Sequence, residues 1–68
     1  MQVKDLLKHL QGDIESISVW LLDRDGEIHE GNRSIRSYGD AEIFDIIYEN
    51  GELSLNIDGE ESDYLINN

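Results

Sequence analysis

The chain has 68 residues, sixteen acids against five bases, a formal net charge of −11 and no cysteine. At this length only about 60% of the unfolded surface can be buried, so one small core is expected and no crosslink is present to reinforce it. The absent thiols exclude disulfides, thiolate metal sites and cysteine nucleophiles. No apolar run approaches the roughly 18 residues of a membrane helix, and the first residues lack the apolar core of a secretory signal, so a soluble protein of the cytoplasm is expected.

The charge is unevenly placed. Residues 1–36 carry all five bases against seven acids, net −2, whereas residues 37–68 carry nine acids and no base, net −9. A field of one sign repels nucleic-acid phosphates and anionic lipid and draws in basic partners, at a rate that falls with salt. Neither direct nucleic-acid binding nor membrane binding is expected. Solubility alone is the competing use of such charge.

In chain order, Val3, Leu6, Leu7 and Leu10 recur at helical spacing with Lys4, Asp5 and Lys8 between them, which predicts a helix over residues 1–11 ended by Gly12. Ser16–Leu22 (SISVWLL) has the β-branched and aromatic content of a strand. Asp23-Arg24-Asp25-Gly26 fits a type I turn closed by a left-handed glycine, giving a first hairpin over 16–30 in which Leu21 opposes Ile28 and Trp20 opposes His29. A two-residue Asp25-Gly26 turn is the rival, and it would set Asp23 against Ile28.

HEGNRSIRSYGD reads as a polar connection, or a ragged edge strand, anchored by Ile35 and Tyr38. A second hairpin over 41–58 is marked by Asn50-Gly51 between two alternating runs, pairing Tyr48 with Leu53, Ile46 with Leu55 and Phe44 with Ile57 on one face. A helix over Ala41–Glu49 capped by Asp40 is the alternative, but it would leave Leu53, Leu55 and Ile57 unpaired. Residues 59–68 form an acidic tail in which Tyr64, Leu65 and Ile66 could dock. The expected fold is α+β: one domain over 1–68, a short N-terminal helix on a four-stranded antiparallel sheet made of two hairpins.

LLDRDGEIHEGN resembles a calcium loop, and the resemblance fails on ligands. With Gly26 at the sixth position, Asp23 and Asp25 fall at the third and fifth, but the first is Leu21 and the twelfth is Asn32, so the first ligand and the bidentate glutamate are both missing. The same test around Gly59 puts Ser54 and Leu65 at those positions. His9 and His29 belong to no recognised ligand spacing. No phosphate loop or nucleophile elbow occurs, and none of the many carboxylates lies in an apolar setting that marks a general acid. No enzyme, metal or cofactor is expected.

If the helix covers Ile17, Val19, Leu21, Ile28, Phe44, Ile46, Tyr48, Leu53, Leu55 and Ile57, the other sheet face carries Trp20, Leu22, His29, Ile43 and Ile47 beside Asp45, Glu49, Glu52, Asn56 and Asp58. An apolar centre rimmed by carboxylates has the character of a protein-binding patch with a tryptophan anchor. The expected partner-binding residues are Trp20, His29, Asp45, Ile47, Glu49, Glu52, Asp58, Glu60 and Glu61. Their expected partner is a basic protein or a second copy of this chain, unless the tail covers Trp20.

The helix MQVKDLLKHL, the step LLDRDGEIHEGN and the closing EIFDIIYENGELSLNI together resemble a family of small acidic proteins of bacterial phages and prophages. The resemblance spans nearly the whole chain and rests on structural motifs. It implies an α+β fold and a mobile-element origin in a bacterial host cell, and supplies no catalytic residue. The chain departs from the pattern in GNRSIRSYGD, where that family carries a longer apolar connection. In size and charge the chain is also similar to anti-CRISPR proteins and other DNA mimics. That likeness implies inhibition of a host nucleic-acid-binding protein, with carboxylates standing where phosphates would bind. A homodimeric accessory module closed through the Trp20 face is the alternative.

Overall fold

The structure is a computed structural model that describes residues 1–60. A short helix, α1 (Val3–Leu7), is followed by a 3-10 turn (Ile14–Ser16) and strands β1 (Ser18–Leu22) and β2 (Ile28–Glu30). A second 3-10 turn (Ile35–Tyr38) then leads to β3 (Ile43–Glu49) and β4 (Glu52–Asp58). The sheet order is β2-β1-β4-β3. Both hairpins are antiparallel, but β1 and β4 run parallel at the centre, with Val19 beside Leu55 and Leu21 beside Ile57.

The sheet is therefore mixed, which corrects the all-antiparallel expectation. Its cause lies in residues 31–40, which form neither a ragged edge strand nor a loose connection. Ile35 and Tyr38 are buried in the core, so the segment crosses one face of the sheet and delivers the second hairpin to the far side of β1. Gly31 permits the start of that crossing. Its amide donates to the Val19 carbonyl at 2.8 Å, and a Cβ there would meet the Val19 oxygen at 3.0 Å and the Tyr38 hydroxyl at 3.1 Å. The Tyr38 hydroxyl accepts the Arg33 amide at 3.1 Å, so the buried ring keeps its polar end satisfied.

The helix is shorter than its apolar stripe suggested. Met1 and Gln2 are drawn into extended pairing with Glu42 and Ile43, and the far end tightens into i→i+3 bonds from His9 to Leu6 and from Leu10 to Leu7. Asp5 caps the start by accepting the Gln2 amide at 3.1 Å. The Val3 and Lys4 amides, which a helix cannot satisfy itself, donate to Ala41 and Gly39 at 2.9 Å each. The N-terminus is thus tied to the entry of β3. Residues 14–16 turn instead of starting the strand because the Asp13 carboxylate captures the Glu15 amide.

The core unites Val3, Val19, Leu21, Ile35, Tyr38, Ala41, Leu55 and Ile57, with Leu6, Leu7, Ile14, Ile17 and Ile43 packed against it. It lies over β1 and β4, the two central strands. The tail segment Tyr64–Ile66 and Glu61 lie outside the described residues.

Candidate partner-binding face

Register decides which side chains share the uncovered face of the sheet, because opposed residues point the same way. In the first hairpin Gly26 adopts φ 84° and donates its amide to the Asp23 carbonyl at 3.1 Å, which is the expected turn. The pairing, however, is Leu22 with Ile28, Leu21 with His29 and Trp20 with Glu30. It is offset by one residue from the expected pairing. The Asp23 amide donates to the Glu27 carbonyl at 2.9 Å and its Oδ1 accepts the Asp25 and Glu27 amides at 2.9 Å each, so Asp23 closes the loop.

One residue of slip exchanges two side chains between faces. Ile28, expected in the core, is 56% exposed beside Trp20, while His29 moves to the other side with Leu21. There its Nε2 lies 2.7 Å from Asp23 Oδ2. His29 therefore leaves the predicted binding set. Asp23 is held below the usual carboxylate range, first by the hydrogen bond to His29 and then by the Glu27 amide. Ligand atoms of Asp23, Glu27 and His29 all lie within 4.8 Å of one another. The three could approach a cation, but both Asp23 oxygens already serve the hairpin.

The second hairpin turns at Asn50 (φ 54°) and Gly51 (φ 79°), the two left-handed residues of a type I′ turn. Tyr48 opposes Leu53 and Ile46 opposes Leu55 as expected. A bulge between Ile43 and Asp45 then sets Ile43, not Phe44, against Ile57. Ile43 consequently packs on the core instead of the open face, and Phe44 is 51% exposed. Ile46 and Tyr48 point toward the covered side but lie on the outer strand, beyond the reach of the small helical layer, and remain exposed.

The open face that results carries Trp20 and Leu22 on β1, Ile28 and Glu30 on β2, Asp45, Ile47 and Glu49 on β3, and Glu52, Ser54, Asn56 and Asp58 on β4. Trp20, Ile28, Ile47, Glu49, Ser54 and Asn56 line one shallow depression at its centre. Of the predicted binding residues, Trp20, Asp45, Ile47, Glu49, Glu52 and Asp58 are brought together here. Glu60 is not free: its carboxylate accepts the Arg24 amide at 2.8 Å and pairs with the guanidinium at 3.1 Å. Ile28 and Glu30 are the residues that sequence reasoning missed. Shifting the hairpin so that Asp23 opposes Glu27 would have found them.

None of the five bases lies on a strand. Lys4, Lys8 and Arg36 instead line a groove on the helical side, with Lys4 paired to Asp40 at 3.0 Å and Arg36 to Glu15 at 3.9 Å. The Asp40 hydrogen bond raises the Lys4 pKa. The cations are thus kept off the strands, whereas acids occur both beside them and on the open sheet face. Within the anionic face, Glu49 and Glu52 stand directly opposite each other, a like-charge pair that costs stability.

No family model, curated protein or solved structure matches this chain. Among the described residues, no helix is long and apolar enough to cross a membrane.

Proposed function

We propose that this chain is a non-enzymatic binding module of phage or mobile-element origin. It docks its open sheet face on a basic host protein and occupies a groove that otherwise holds a nucleic-acid backbone. One observation carries the reading: the face presents Glu30, Asp45, Glu49, Glu52 and Asp58 around Trp20, Leu22, Ile28 and Ile47, without a lysine or arginine among them. Carboxylates on a rigid sheet can meet the Lys and Arg of a phosphate-binding groove, and the half-buried indole offers an apolar anchor at its centre. The opposed Glu49–Glu52 pair supports the same reading, since a cation placed between them relieves a repulsion the free protein must tolerate.

The alternative, a homodimer closed face to face through Trp20, sets this carboxylate rim against its own copy with no base to neutralise it. That arrangement is electrostatically poorer than docking on a basic groove.

The test is capture of basic proteins from a bacterial lysate at low and high salt, with displacement of nucleic acid from the captured protein as the functional readout. Binding is expected to weaken steeply with salt and to fall at least about tenfold in Trp20→Ala, a loss typical of a buried aromatic anchor. Affinity that does not change with salt would refute the mimic mechanism.

A further inference from the structure

Among the described residues no strand pairs with the outer edge of β3, and its backbone is arranged to pair with itself. Glu49 and Glu52 flank a two-residue turn, so they exchange backbone hydrogen bonds across the hairpin. Alternation along the ladder then turns the Asp45 and Ile47 peptide groups toward β4, and those of Ile46 and Tyr48 away from it. The amide of Ile43 also faces outward and is already taken by the Met1 carbonyl at 2.8 Å. Among the described residues, the edge left without a strand partner therefore runs from Phe44 to Glu49.

The side chains along it are unusual for an unpaired edge. Phe44 is 51%, Ile46 50% and Tyr48 72% exposed, and no lysine or proline interrupts the run. Natural sheets ordinarily blunt such a strand with those residues. Asp45 and Glu49 are its only charges, and they discriminate between registers. An antiparallel pair centred on Ile47 would set Asp45 against the partner's Glu49. Centred on Ile46, the same strand sets Asp45 against the partner's Ile47 and Phe44 against the partner's Tyr48. Both registers join outward-facing peptide groups, Ile46 to the partner's Tyr48 in the first and Ile46 to the partner's Ile46 in the second, so the charges decide: only the second keeps Asp45 from standing opposite the partner's Glu49.

We infer that the edge of β3 is the site at which a second copy of this chain docks, antiparallel and centred on Ile46, to extend the four strands into one continuous eight-stranded sheet. The two-fold axis passes between the two Ile46 residues, perpendicular to the sheet. Both open acidic faces then lie on the same side and form one surface of twice the length. This pairing is independent of the basic partner proposed above, and its salt dependence is opposite. Bringing together two chains of charge −11 is resisted at low salt and eased by screening.

The experiment begins with wild-type protein in sedimentation velocity over a wide concentration range, at about 50 mM and about 500 mM salt. A reversible dimer is expected whose dissociation constant tightens at least about tenfold at the higher salt. Ile46→Lys should abolish it with the circular dichroism spectrum and melting of the monomer retained. The register is tested in a chain that has no cysteine of its own. Ile46→Cys should form an intermolecular disulfide under mild oxidation, because directly opposed hydrogen-bonded residues lie about 5.5 Å apart between Cα atoms. Ile47→Cys should not. A monomer at both salts overturns the proposal, as does equal crosslinking at the two positions. It is equally overturned by a dimer that Trp20→Ala dissolves and Ile46→Lys leaves intact.

Discussion

The Glu49–Glu52 pair offers a quantitative test of how the anionic face is held. The two residues are directly opposed beside the Asn50-Gly51 turn, where cross-strand Cβ atoms are about 5 Å apart. At the surface, two unit charges at about 5.5 Å in water interact by about 0.75 kcal/mol, which screening at physiological salt reduces to about 0.4 kcal/mol. Glu52→Lys reverses the sign, so the swing is about 0.8 kcal/mol, and Glu52→Gln recovers about half of it. A chain of this length unfolds with an entropy of about 140 cal/mol/K, which converts the full swing to a rise of about 5–6 °C in Tm. Thermal unfolding followed by circular dichroism should show that order, Lys above Gln above wild type. At about 1 M salt the Debye length falls to about 3 Å and the gain should shrink below about 2 °C. A gain that persists at high salt would locate the effect in strand propensity or packing. No gain at all would mean that the carboxylates splay apart, and the argument for stored repulsion on this face would fail. If the proposed docking is correct, the stabilised Glu52→Lys variant should also bind its basic partner more weakly, a trade of function for stability.

Leu55 is fully buried on the central strand β4, between β1 and β3, so Leu55→Ala should cost about 2–5 kcal/mol and leave a chain of this size close to unfolded, as chemical denaturation will show. Gly31→Ala should destabilise by about 1–3 kcal/mol, because the new methyl meets the Val19 carbonyl and the Tyr38 hydroxyl at hydrogen-bond range without being able to bond either; an unchanged denaturation midpoint would mean the crossing segment yields freely. Tyr38→Phe leaves the Arg33 amide without that acceptor and should cost about 1 kcal/mol in the same assay. The Asp23 carboxyl titrates lower in the folded than in the unfolded chain, so its charge contributes stability that is complete above its unfolded pKa, near 3.8, and is lost as pH falls through the lower folded value. The melting difference between wild type and Asp23→Asn should therefore be greatest near neutrality and close as pH drops below that range. A difference that grows in acid would reverse the assignment.

Local chemistry made much of this protein legible from its sequence. Asn50-Gly51 specifies two consecutive left-handed residues, a geometry few other pairs adopt, and the second hairpin follows from it together with the opposition of Tyr48 to Leu53 and Ile46 to Leu55. Gly26 fixed the first turn in the same way, and the alternation in both hairpins placed Trp20, Asp45, Ile47, Glu49 and Glu52 on one face before any contact was known. The confinement of all five bases to the first 36 residues foretold a strand layer without cations in the second hairpin.

Tertiary structure decided the rest, because the remaining choices were close in local energy. Sequence spacing cannot distinguish hairpin pairings that differ by one residue; the capture of the Asp25 and Glu27 amides by Asp23 does so, and it sends Ile28 outward and His29 inward. Nor does any local signal announce the bulge that releases Phe44 and draws Ile43 onto the core. The parallel pairing of β1 with β4 arises because Ile35 and Tyr38 gain more by burial across the sheet than residues 31–40 would gain as a solvated link. Turns and faces are written within a few residues, whereas strand order is settled by which apolar anchors the whole chain can cover together.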